Sequence, residues 1–87
     1  MSAELHISSL IVYARPASLP AVRAALATLD GVEIHGASDT GKIVVTLETE
    51  SSGGIVERLE RIREVAGVLS ATLVFHQIEP LVQSEGG

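Results

Sequence analysis

The order of elements legible in this 87-residue chain is strand, helix, strand, strand, helix, strand. It predicts an α+β domain, a ferredoxin-like βαββαβ split arrangement with a four-stranded antiparallel sheet in spatial order 4-1-3-2 and both helices on one face. Three observations carry that prediction. Leu29-Asp30-Gly31-Val32 and Val65-Ala66-Gly67-Val68 each read as a helix end, a Gly stop and a strand start, so one strand-helix-strand unit is used twice. Between the two units, Asp39-Thr40-Gly41 supplies the tight turn of a hairpin, Gly41 taking the positive φ that a short connection needs. The closing segment GVLSATLVFHQ, Gly67 to Gln77, alternates like a strand with one oily side and one mixed side.

Each element has its own local cause. His6 to Ala14 is rich in β-branched and apolar residues and ends at Arg15-Pro16, which marks a first strand. Ser18 can cap a helix in which Leu19, Val22, Leu26 and Leu29 recur at helical spacing, with Pro20 tolerated in the first turn and Gly31 as the stop. Val32 to Ser38 and Lys42 to Glu48 are the strands on either side of the turn. The second helix follows the Ser51-Ser52-Gly53-Gly54 break and aligns Ile55, Leu59, Ile62 and Ala66. Its other side carries Glu57, Arg58, Glu60, Arg61, Arg63 and Glu64, a solvated face on which Glu57 and Arg61 form an i, i+4 pair.

A chain of this length is expected to hold one domain, with an ordered part from about residue 6 to 79 and a flexible tail from 80 to 87. Cysteine is absent, which excludes disulfides, thiolate metal sites and Cys nucleophiles. Eleven acidic residues against six basic ones give a formal charge of −5, a balance that repels nucleic acid and anionic lipid. No basic leader with a long apolar core opens the chain, and no apolar run approaches the roughly 20 residues of a bilayer span. Neither export by a visible signal nor membrane insertion is expected.

With helices on one face, parity sorts the strand residues. The core set is Leu10, Val12, Ala14, Val32, Ile34, Ile43, Val45, Leu47, Leu69, Leu73 and Phe75, with Ala71 on the same side. The uncovered face then carries Ser9, Ile11, Tyr13, Glu33, His35, Val44, Thr46, Glu48, Ser70, Thr72, Val74 and His76. Apolar groups beside hydroxyls, with carboxylates toward the second and third strands, suit a peptide or protein partner. No phosphate loop, nucleophile with base, or converging metal ligands appear: parity puts His6 opposite His35 and His76, and those two fall on separate edge strands, so neither catalysis nor a metal or other cofactor is expected. A single ring, Tyr13, on an acidic protein is too little for RNA.

ISSLIV at Ile7 to Val12, GVEIH at Gly31 to His35, SDTGKIVVTLE at Ser38 to Glu48 and EVAGVLSATLVFHQIE at Glu64 to Glu79 together resemble the NapD family, cytoplasmic chaperones for maturation of periplasmic nitrate reductase. The resemblance runs from about Ile7 to Glu79, and departs where the family often has Tyr at the position of Phe75. It implies a cytoplasmic non-enzyme, without a prosthetic group, that binds the twin-arginine signal peptide of the nitrate reductase catalytic subunit and delays its export until cofactor loading. On the residues themselves, Ile11, Tyr13, Val44 and Val74 would take the apolar part of such a peptide and Glu33 and Glu48 its guanidinium groups. A small-molecule regulatory domain or a structural homodimer of the same topology are the alternatives.

Overall fold

The computed structural model describes residues 3–81, and the expected tail beyond Leu81 lies outside the described residues. The elements are β1 (Ala3–Ala14), α1 (Leu19–Ala27), β2 (Val32–Ala37), β3 (Lys42–Thr49), α2 (Ser52–Arg63) and β4 (Val68–Leu81). All neighbouring strands are antiparallel, in the order β2-β3-β1-β4, which is the expected 4-1-3-2 arrangement read from the other edge.

Local chemistry explains most of the boundaries. Pro16–Ser18 forms a short 3-10 turn that leads into α1, so Ser18 sits at φ −97° and makes no capping bond with its side chain, contrary to the expectation from sequence. At α2 the capping does occur: Ser51 is extended and its hydroxyl accepts from the Gly54 N–H at 3.0 Å, starting the helix inside the expected loop. Gly31 and Gly67 leave the two helices at φ +79° and +97°. Each also ties its turn to the sheet, because the Gly31 carbonyl accepts from Glu48 N–H and the Gly67 carbonyl from Arg15 N–H, both at 2.9 Å. A Cβ at Gly31 would collide with the Glu48 carbonyl oxygen, which makes the position specific to glycine on two counts.

The core lies between the sheet and the helices. Leu10, Val12 and Ala14 of β1, Ile43, Val45 and Leu47 of β3 and Ala71 of β4 meet Val22 and Leu26 of α1 and Ile55 and Ile62 of α2 in one buried cluster. Choosing Leu10 and Val12 as the inward pair of β1 is therefore correct, with Tyr13 exposed on the other side.

Strand β4 departs from simple alternation. Leu10 pairs with Leu73 but Ser9 pairs with Phe75, so Val74 is an extra residue in the ladder, and a second irregularity leaves Leu69 between the partners of Tyr13 and Ala14. An inserted residue turns every later side chain to the opposite face. Leu69, Leu73 and Phe75, expected in the core, are instead 61%, 37% and 54% exposed. Phe75 shares the uncovered face with Ser9, and His76 joins Ser8 on the helix side. Leu73 keeps its core-side partner but lies past the point where Arg63 of α2 donates to the Ala71 carbonyl at 3.0 and 3.3 Å.

The charged face of α2 is less free than alternation implies. Glu57 pairs with Arg58 at 3.2 Å, and no ion pair to Arg61 is present among the described residues. Arg58 also donates through Nε to the Asp30 carbonyl at 2.9 Å, tying α2 to the end of α1. Two arginines of the supposed solvated face thus hold the layer together.

Candidate functional site

The uncovered face of the sheet is built by register. Across the strands, Glu33, Thr46, Ser9 and Phe75 form one row; Val44, Ile11 and Thr72 form the next; Lys42, Tyr13 and Ser70 close one end; Glu48, Ile7 and Gln77 form the row at the other. Side chains directly opposite in such rows lie within contact range, so the rows behave as continuous strips. Ile11 and Val44 make an apolar centre, flanked diagonally by Tyr13 and Phe75. These are the chain's only two aromatic residues, and both are exposed here.

Of the residues expected on this face, Ser9, Ile11, Tyr13, Glu33, Val44, Thr46, Glu48, Ser70 and Thr72 share it by register. His35 is itself an extra residue, skipped between the pairs of Ile34 and Gly36, and its Nε2 lies 2.6 Å from the Thr46 hydroxyl and 3.8 Å from the Glu33 carboxylate. Val74 stands at the bulge, 57% exposed. His76 does not belong to the face: it lies on the helix side, because the bulge has reversed the parity it was assigned by. Ile7 and Lys42 join the face by the same alternation that places Ser9 and Val44 there, whereas Phe75 and Gln77, beyond the bulge, are the members that simple alternation puts on the other side. The available signal for Phe75 is the run Leu73-Val74-Phe75, three apolar residues in succession where an alternating strand should show one polar position.

The face is polarised along its strands. Along β3 it presents Lys42, Val44, Thr46 and Glu48 in that order, and Glu33 stands beside Thr46 on β2. One end is thus acidic, the middle apolar and the far end basic. An extended or helical ligand with cationic groups at one end and an apolar stretch after them would match this gradient in one direction only. Among the described residues, no group of three or more His, Cys, Asp or Glu side chains converges, and no helix is long and apolar enough to cross a membrane.

Comparison with known proteins gives concordant likenesses. The family model described as NapD protein matches residues 5–80. A relative named Chaperone NapD from Paracoccus pantotrophus is 46% identical over 81 residues, covering 93% of this chain and 71% of that protein. Chaperone NapD of Escherichia coli K12 is 32% identical over 81 residues, covering 91% and 92%. The solution structure of the E. coli Tat proofreading chaperone protein NapD superposes with a TM-score of 0.78 at 30% identity, covering 95% of this chain and 83% of that one.

Proposed function

Because this chain belongs to the NapD family of chaperones, we propose that its uncovered sheet face binds the twin-arginine signal peptide of the catalytic subunit of periplasmic nitrate reductase. Binding there would hold the precursor in the cytoplasm, away from the translocon, until its cofactors are loaded. The family is one of chaperones and not of enzymes. The single observation that carries the binding reading is the acidic-to-apolar gradient from Glu33 and Glu48 across Ile11, Val44 and Phe75 to Tyr13 and Lys42. The peptide's arginines meet the carboxylates in charge-assisted hydrogen bonds, and its following apolar segment is desolvated over Ile11, Val44 and the two rings. Lys42 at the far end disfavours the reversed orientation by placing like charges together.

Calorimetry of folded variants against a twin-arginine peptide tests this. Ile11→Lys and Phe75→Lys, each placing a charge where apolar surface must be desolvated, should weaken binding by about tenfold or more, equivalent to roughly 1.4 kcal/mol. Glu48→Lys should weaken it less, by an amount that shrinks as salt rises. Normal affinity in the Ile11 and Phe75 variants would move the site off this face. No affinity in the unaltered chain, together with a concentration-dependent mass, would favour the homodimer instead.

A further inference from the structure

The bulge that removes His76 from the uncovered face delivers it to His6. The two rings lie 5.4 Å apart between centres, tilted by 51°, with His6 Nδ1 facing His76 Nε2 at 3.4 Å. Their outer nitrogens are both held: His6 Nε2 lies 3.4 Å from a Glu4 carboxylate oxygen, and His76 Nδ1 lies 2.8 Å from the Ser8 hydroxyl. The carboxylate can only accept, so it favours the tautomer of His6 with its proton on Nε2, and that tautomer presents a lone pair from Nδ1. In the metal-free chain His76 Nε2–H then points at that lone pair, and Ser8 O–H donates to His76 Nδ1. Every group is satisfied, but the central link is long, since a good N–H hydrogen bond spans about 2.9–3.0 Å.

We propose that His6 Nδ1 and His76 Nε2 are a two-histidine chelate for zinc(II). The separation is the bite of a tetrahedral ion: zinc at 2.0–2.1 Å from each nitrogen sets the nitrogens about 3.4 Å apart and the ring centres about 5.2 Å apart. A square-planar copper(II) chelate would need cis nitrogens at about 2.8 Å, so the separation fits tetrahedral zinc better than square-planar copper. Binding needs a tautomer change and a turn of the rings, so that both lone pairs converge on the ion instead of on each other. The His76 proton moves from Nε2 to Nδ1, where it is donated to Ser8, whose hydroxyl passes from donor to acceptor, and no proton is lost. Glu4 and Ser8 are then the outer partners that orient each ring, the role such groups play around metal-bound imidazoles.

The position favours an ion that clamps. His6 is where β1 leaves the four-stranded part of the sheet: it is the last residue paired with β3, and Ala3–Leu5 beyond it pair with β4 alone. His6 is buried and His76 exposed, so the pair has one fixed ligand and one side open to solvent. Two histidines leave two positions of the tetrahedron for water or for a donor from a docked chain. A bound zinc would cross-link β1 to β4 at the base of the two-stranded ribbon.

Titration of the full chain, stripped of metal, with zinc chloride tests the site. The expected result is one zinc per chain by calorimetry, lost in His6→Gln and in His76→Gln and retained in His35→Gln. Glutamine keeps a polar amide at both positions, beside Ser8 at 76 and beside Glu4 at 6, and an unchanged far-ultraviolet circular dichroism spectrum identifies the variants that are folded and can be scored. Glu4→Gln should weaken binding by about tenfold. Cobalt(II) as a probe should give the intense visible absorption of a tetrahedral site. Absence of binding, unchanged binding in either His6→Gln or His76→Gln, or the weak spectrum of octahedral cobalt would each overturn the proposal. None of these outcomes depends on whether the opposite face binds a signal peptide.

Discussion

Ser8 shows how much a single hydroxyl can require of its surroundings. It lies in the same alternating set as Leu10 and Val12 and is fully buried, with the His76 ring as its side-chain partner at 2.8 Å. His76→Ala should therefore cost about 1–3 kcal/mol, the penalty of a buried hydroxyl left unpaired, whereas His35→Ala on the exposed face should stay within about 0.5 kcal/mol. Urea denaturation of the two variants separates them. Alternation alone puts both histidines on one solvent-facing surface and makes them equivalent, so equal and negligible costs would restore that simpler picture. Two leucines make a parallel contrast. Leu47 is wholly buried in the central cluster, and Leu47→Ala should cost about 2–5 kcal/mol. Leu73, with over a third of its surface exposed on an edge strand, should lose only about 1 kcal/mol when cut to alanine.

At the scale of elements, the parts legible in the sequence are those with local causes. Gly31, Gly41 and Gly67 adopt positive φ where the chain turns, and the stops they were expected to supply bound α1, the β2–β3 hairpin and β4. Gly31→Ala should destabilise the fold by at least about 1–2 kcal/mol from its left-handed backbone alone, before the clash with the Glu48 carbonyl is added. Thermal unfolding of that variant beside Gly36→Ala, where an added Cβ meets nothing within 4 Å, provides the control. A comparable midpoint for the two would show that the helix exit is not strained by a side chain. The bulge at Val74 has only the apolar run Leu73-Val74-Phe75 as a local mark, which does not say which residue is left over, because that depends on how the partner strand holds the register. That is why β1 and β3 sort correctly by parity while β4, interrupted at Leu69 and again at Val74, does not. It is also why nine members of the candidate face were legible, while Phe75 was hidden and His76 misplaced.

At the scale of the whole fold, the described residues form a long and narrow body, 53 × 21 × 21 Å, because β1 and β4 run on as a ribbon beyond β3. Helices cover one face of the sheet, leaving the other as a broad polarised surface on an acidic protein. The family-level chaperone role was legible because the likeness spans nearly the whole chain, and the row Lys42, Val44, Thr46 and Glu48 follows from alternation along β3, whereas the register adds Glu33 beside Thr46 and Phe75 beside Ser9. The most direct test of the account is one nuclear magnetic resonance titration with a twin-arginine peptide spin-labelled beside its arginines. Amide signals of Ile11, Tyr13, Val44, Thr46 and Phe75 should shift, and the label should broaden Glu33 and Glu48 more strongly than Lys42. Shifts confined to α1 and α2, or broadening centred on Lys42, would contradict the proposed face or its polarity.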